Sequence, residues 1–251
     1  MVRKQEFLST NSYIAIQSIL EPGKEGIRRL PGTKIVDNIN GTVYYTPPDG
    51  ENNIRNLLKN FEDYYNEPDT EVDPLIRNAI LHYQFEAIHP FYVGNGRTGR
   101  ILMVLHLVLM KRLDLPLLFL SGFINKSRSD YYRLIREVTS QSQWKSWILY
   151  ILQAIEEQAN STSQTIYNIL QLHRDLEPKM REIKPAPPVR ELLAYLLSGP
   201  FYTRDRLSKQ LSVHPNSGLK YLNNLEVAGI LKSFTHNREK IFFLEDFLRL
   251  L

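Results

Sequence analysis

The sequence predicts a mainly α-helical protein: a helical bundle that carries one small β-hairpin, followed by a compact C-terminal module of three short helices and a second hairpin. Three observations predict it. Apolar residues recur at helical spacing through most of residues 1–183. One β-branched and aromatic run, Thr42-Val43-Tyr44-Tyr45-Thr46, interrupts that pattern and ends at Pro47-Pro48. A proline-rich stretch at 184–188 coincides with a shift in charge. Net charge is +4, and from Lys184 onward ten Lys or Arg face six Asp or Glu, so the whole basic excess lies in the tail. The chain is accordingly divided at 1–183, a linker at 184–188, and 189–251.

Composition bounds the rest. The 251 residues are 43% apolar and 23% charged, enough for a full core. No cysteine occurs, which excludes disulfides and thiolate chemistry and suits a reducing compartment. The longest apolar run, Ile101 to Met110, is interrupted by His106 and is too short to span a bilayer. The first residues have no apolar core of a signal peptide. A soluble, cytoplasmic protein with no membrane partner is expected.

Taken in order, Phe7 to Leu20 reads as a helix with cap candidates Ser9, Thr10 and Asn11, stopped by Glu21-Pro22-Gly23. Ile35-Val36, a turn over Asn38 to Gly41, and Thr42 to Thr46 form the hairpin. Glu51 to Tyr65 is helical through Ile54, Leu57, Leu58, Phe61 and Tyr65. Asp73 to Ile88 follows, with an Asp cap and Pro74 in its first turn. Pro90 ends it, and Arg97 to Met110 forms the next helix. Ser127 or Ser129 caps a helix through Val138. Trp144 to Ile183 is one long helix or two abutting ones, with Trp144 and Trp147 as core anchors. In the tail, helices at Val189 to Leu197, Thr203 to Leu211 and Asn216 to Ala228 precede strands at Ile230 to Phe234 and Lys240 to Leu244, separated by the turn His236-Asn237-Arg238. That order is a winged helix-turn-helix arrangement.

Between the two central helices lies the richest stretch, His89-Pro-Phe-Tyr-Val-Gly-Asn-Gly-Arg-Thr-Gly-Arg100. Glycines let backbone N–H groups approach anionic oxygens, and a helix N-terminus adds the positive end of a dipole. Arginines fork onto phosphates, and a histidine can accept a proton at neutral pH. The mixture suits a polyphosphate cradle with a base beside it. A metal set of His82, His89 and His106 is rejected, because His106 sits within an apolar helix where a core role is expected.

This stretch resembles the signature of Fic-domain proteins of the Fic/DOC family, HPFx(D/E)GNGRxxR, at all but one specified position. Tyr83 to Ile88 before it and Asp130-Tyr131-Tyr132 after it also resemble that family. The resemblance covers the first three quarters of the chain and implies a Fic-type helical bundle. It implies a protein adenylyltransferase, which moves AMP from ATP to a Tyr, Ser or Thr hydroxyl of a target protein. Residue by residue, His89 is then the general base, and Gly94, Asn95 and Gly96 the hole for the α-phosphate, with Asn95 also orienting it. Arg97 holds the β-phosphate and Arg100 the γ-phosphate. Tyr131 and Tyr132 lie on the adenosine side, and the hairpin, with Val43, Tyr44 and Tyr45, is a flap that docks the target backbone.

Two departures qualify the likeness. Val93 stands where the family has the acid that binds Mg²⁺, and it cannot ligate a hard cation, so no protein metal ligand is expected and Mg²⁺ would be held by ATP and water. A slow enzyme, another nucleotide donor, and a nucleotide-binding regulator with little transfer stay open. The family's inhibitory pattern (S/T)xxxE(G/N) is not found in 1–67, which leaves a truncated chain, inhibition in trans, or an unregulated protein. For the tail, DNA binding, homodimerisation and partner docking stay open. Its third helix offers Asn216, Ser217, Lys220, Asn223 and Asn224 but only one cation, with Arg238 and Lys240 on the wing.

Overall fold

The computed structural model describes residues 7–36, 41, 43–68, 71–183 and 188–250. Thr42, most of the hairpin turn and residues 184–187 of the expected linker lie outside the described residues. The chain forms two compact units that divide between Asn160 and Ser161.

The first unit holds α1 (Thr10–Leu20), β1 (Ile35–Val36), β2 (Val43–Tyr45), α2 (Glu51–Asn66), α3 (Pro74–Ile88), α4 (Asn95–Leu109), α5 (Leu120–Lys126), α6 (Arg128–Gln141) and the start of α7 (Trp144–Arg181). Helix α3 buries eight of its fifteen residues, on two sides. Leu81, Phe85 and Ile88 join one apolar cluster with Tyr13, Ile54, Leu58, Phe61 and Tyr65. Ala79 joins a second, with Met103, Leu107, Tyr131, Leu134, Trp147 and Ile151. A helix packed on two sides cannot show one clean apolar stripe, which is why its sequence pattern is weak.

Helices α3 and α4 cross closely at Gly99, where a Cβ would fall 2.5 Å from Glu86 Oε1. Polar tethers hold this core: Trp147 Nε1 donates to the Ala79 carbonyl at 2.8 Å, Tyr65 Oη to the Leu102 carbonyl at 2.7 Å, and Asn78 Nδ2 to the Met103 carbonyl at 2.8 Å. Two helix starts differ from the sequence reading. Helix α1 begins at Thr10 and not at Phe7, with the expected cap candidate Ser9 at its N-cap, and the Thr10 N–H donates to Glu62 Oε2 at 2.7 Å. Helix α4 begins at Asn95, two residues earlier than expected, because Gly94 adopts φ 86 and its carbonyl already accepts from the Thr98 N–H at 2.9 Å.

Strands β1 and β2 pair antiparallel, Ile35 with Tyr45 and Val36 with Val43, which forms the expected hairpin. The stretch Trp144 to Arg181 is one helix, and Pro178 does not break it.

The second unit contains the end of α7, α8 (Val189–Leu196), β3 (Phe201–Tyr202), α9 (Arg204–Leu211), α10 (Pro215–Val227), β4 (Lys232–His236), β5 (Glu239–Phe243) and α11 (Glu245–Leu248). Its sheet runs β3-β5-β4, all antiparallel. The short β3 and α11 were not read from the sequence. Leu176 and Met180 of α7 are buried with Leu192, Leu196, Tyr202, Leu222 and Phe242. The division into units therefore falls inside α7 and not at 184–188, since the last turns of α7 belong to the tail core. Helices α9 and α10 meet at Gly218, whose Cβ would clash with Ser208 Oγ at 2.2 Å. Asn237 and Arg238 both take positive φ, 47 and 66, as a tight two-residue hairpin turn requires.

Candidate active site

Helix α3 ends at His89, which takes a left-handed backbone conformation with φ 47 and ψ 60. That conformation costs a β-carbon-bearing residue about 1–2 kcal/mol and persists only where the surroundings enforce it. The surroundings here are the fully buried Arg28. Its Nε donates to the His89 carbonyl at 2.8 Å, one terminal nitrogen to the Ile88 and Pro48 carbonyls, and the other to Asp49 Oδ1 at 3.1 Å. The Arg28 N–H also donates to the Pro90 carbonyl at 2.9 Å, and Ile27 bridges to Phe91. One guanidinium thus ties the His89 corner to the end of the hairpin segment.

The loop that follows is closed on itself. Asn95 Oδ1 accepts from the Phe91 N–H at 2.9 Å and Asn95 Nδ2 donates to the Phe91 carbonyl at 2.7 Å. The carboxamide expected to orient a phosphate is therefore engaged on the loop backbone, and Asn95 shapes the loop. Buried Gln17 adds a clamp from α1, donating to the Val93 carbonyl at 3.2 Å and the Lys24 carbonyl at 3.0 Å. With Gly94 as the cap, the N–H groups of Asn95, Gly96 and Arg97 have no acceptor within the helix, which is the anion-binding geometry of a helix start.

Two adjoining cavities meet at His89. One, of about 120 Å³, is bounded by Tyr44, Tyr45, Glu86, His89, Arg100 and Tyr131 among others. The other, of about 290 Å³, is bounded by His89, Val93, Gly94, Asn95, Arg97 and Arg128 among others. Gly96, Arg100, Tyr131 and Tyr132 line both. The structure thus gathers His89, Gly94, Asn95, Gly96, Arg97, Arg100, Tyr44, Tyr45, Tyr131 and Tyr132 around one locus. Val43 is exposed and lines neither cavity.

Burial, with the Arg28 charge adding to it and the Glu86 carbonyl opposing it, lowers the His89 pKa to about 4. The ring is neutral at pH 7 and offers a lone pair, although its Nδ1 is buried without a hydrogen bond among the described residues. Arg97 forms an ion pair with Glu21, and Arg100 donates from Nε to Ser121 Oγ at 2.7 Å. Tyr131 is buried with its hydroxyl 2.9 Å from His82 Nε2, so it is a core residue that also forms cavity wall. Tyr132 stacks on Tyr44 of the hairpin, ring centroids 5.6 Å apart and planes at 9°. Among the described residues no group of three or more His, Asp or Glu is placed to hold a metal ion, and the Val93 side chain offers no ligand where the resemblance puts the Mg²⁺-binding acid.

Sequence reading missed Arg28, Gln17, Glu21, Glu86 and Ser121. Only Glu86 carried a local signal: it lies one helical turn before His89, on the same face of α3.

The Fic/DOC family model matches residues 7–107, which run from the start of α1 through the loop into α4. This segment is a Fic/DOC domain. The Fic domain is similar to a protein adenylyltransferase Fic of Drosophila willistoni, 30% identical over 111 residues, which are 44% of this chain and 21% of that protein. It is also similar to a protein adenylyltransferase of Caenorhabditis elegans, fic-1, 32% identical over 99 residues, or 39% of this chain and 18% of that one. The chain thus spans about a fifth of the length of the curated relatives it matches. In fold it resembles a crystallised Fic family protein from Desulfovibrio desulfuricans G20, with a TM-score of 0.54 at 21% identity, over 93% of this chain and 67% of that one. No helix among the described residues is long and apolar enough to cross a membrane.

Proposed function

We propose that this Fic domain is a protein adenylyltransferase that uses ATP and modifies a Tyr, Ser or Thr hydroxyl of a target protein. The observation that carries the reading is the convergence of a neutral, half-buried His89 with the free N–H groups at the start of α4 and with Arg97 and Arg100 around joined cavities. The α-phosphate lies against the N–H groups at 95–97, and the arginines take the β- and γ-phosphates. The target hydroxyl oxygen bonds to the α-phosphorus, the bond from that phosphorus to the oxygen bridging to the β-phosphate breaks, and pyrophosphate leaves. His89 takes the hydroxyl proton. The hairpin presents the target by pairing with its backbone, and Tyr44 and Tyr132 bound the nucleoside side. Names of the similar proteins support the transfer chemistry, but they cover a minority of each of those chains.

Two features favour a second reading, a nucleotide-binding regulator with little transfer. Val93 removes the usual Mg²⁺ ligand, and a His89 pKa near 4 makes a weak base. Residues 189–251 are proposed as a winged helix-turn-helix domain, on the order α8-β3-α9-α10-β4-β5. Its use on DNA has thin support: of the cations read from the sequence, Lys240 is committed to Glu226 at 2.6 Å and to Asn223 at 3.2 Å, leaving Lys220 and Arg238.

Intact-mass spectrometry after incubation with ATP and Mg²⁺ separates the two readings. The enzyme reading expects an AMP adduct on the protein or an added target, larger for Val93→Asp and absent for His89→Ala. No adduct on the protein or on any target from the parent or Val93→Asp favours the regulator. A gel-shift salt series on the intact protein tests the tail.

A further inference from the structure

Among the described residues Glu86 is the one carboxylate lining the cavity beside His89 and Arg100, and neither the motif nor the proposed transfer uses it. Nine-tenths of the residue is buried, and its Oε1 has no hydrogen-bond partner. An ionised carboxylate in that position is costly unless a positive charge stands near. One does. Arg100 and Glu86 both approach Gly96: a Cβ there would be 3.1 Å from one terminal nitrogen of Arg100 and 3.9 Å from Glu86 Oε1. The two charged groups are thus no more than about 7 Å apart, yet they make no direct ion pair, and Arg100 spends its Nε on Ser121. Arg100 is also shared with the polar cavity in which the phosphates are placed, so any polyphosphate bound there takes the charge that Glu86 depends on.

We propose that Glu86 is a positioning residue of the phosphate site, acting through Arg100: it binds a proton when a nucleoside polyphosphate occupies that guanidinium, so that nucleotide binding here is coupled to proton uptake. The inference rests on the nucleotide reading above. In the free protein, burial raises the Glu86 pKa to about 7 while Arg100 opposes the rise. A bound phosphate cancels that opposition and adds negative charge, so the ionised fraction collects a proton from solvent and becomes the neutral acid. The uptake is a protonation only: one O–H bond forms on the Glu86 carboxyl, and buffer supplies the proton.

The other titratable or charged groups facing Glu86 are His82 and His89 on its own helix, Arg100 on α4, Tyr131, Tyr132 and Arg136 on α6, and Tyr44 and Tyr45 on β2. Burial holds His82 near 3 and His89 near 4, and it raises Tyr131 and Tyr45, so in the free protein Glu86 is the group that changes charge near neutrality. Only His89, drawn upward by the phosphate, could mimic it.

The test is calorimetry of MgATP binding to the intact protein in buffers of different ionisation enthalpy, from pH 6 to 8. About half a proton taken up at pH 7, rising with pH, and an affinity falling about tenfold from pH 6 to pH 8 are expected, with both lost in Glu86→Gln. Binding without proton uptake in the parent overturns the coupling and leaves the nucleotide site standing. Absence of any MgATP binding overturns both. Uptake that persists in Glu86→Gln but vanishes in His89→Ala assigns the proton to His89 and also overturns the proposal. The parent's own pH series decides the matter if Glu86→Gln does not fold.

Discussion

The two ends of the twelve-residue loop are built differently. At the His89 end, the backbone is held by buried hydrogen bonds from Arg28, Asn95 and Gln17, none of which faces the open cavity as a free charge. At the Arg97 end, the charged groups are half in solvent and meet replaceable partners, Glu21 and Ser121. On the proposed reading His89 is the base, and it is held in place before any ligand arrives, as proton transfer, which tolerates little misplacement, requires. The arginines keep weak, replaceable partners, as the proposed phosphate binding requires.

That contrast can be broken from the rigid side first. Arg28→Met removes the donor to three backbone carbonyls and releases the left-handed corner, and a loss of roughly 3 kcal/mol is expected in a urea melt. Asn95→Ala leaves the buried Phe91 N–H and carbonyl unpaired, costing about 1–3 kcal/mol in the same assay, and transfer falls with it. From the open side, Glu21→Gln changes stability by no more than about 0.5 kcal/mol, since Arg97 is half exposed. It should instead tighten binding of ATP and ADP while leaving AMP unchanged, because only the β-phosphate competes for Arg97. Equal tightening of all three nucleotides would place Glu21 elsewhere in the site's electrostatics.

A separate effect is in the pH dependence of stability. Burial depresses His82 and His106 to about 3 and His89 to about 4, below the ordinary 6.5, so the unfolded chain binds protons that the folded one refuses. Stability from these groups is present above 6.5 and is lost as pH falls toward 4. Glu86, raised to about 7, has the opposite sign: its contribution is present below about 4.5 and is lost as pH rises through 7. Three histidines outweigh one glutamate, so a net rise in melting temperature is expected from pH 4.5 to 6.5, steeper in Glu86→Gln and flatter in His106→Asn.

The same contrast explains what could be read from the sequence. The groups proposed to carry the chemistry of this loop are contiguous, and their types announce them: an imidazole, three glycines and two arginines in twelve residues. The groups that hold the loop come from positions such as Gln17 and Arg28, more than sixty residues earlier than the atoms they bond, and their acceptors are backbone carbonyls, which look alike in every sequence. The helix order was legible because apolar spacing is local. The start of α4 was misplaced by two residues because Gly94 takes a left-handed conformation that spacing does not encode. In the tail, proline-rich composition pointed to 184–188, whereas packing gives the last turns of α7 to the tail core through Leu176 and Met180.

The most direct test of the account follows a label from ATP. The protein and its Val93→Asp variant, each with Mg²⁺ and a candidate target, are incubated with ATP labelled either at the α- or at the γ-phosphorus. The account predicts covalent label from the α-position only, lost in His89→Ala by about 10²–10⁴-fold. Label arriving from the γ-position, or α-label that survives in His89→Ala, would contradict it.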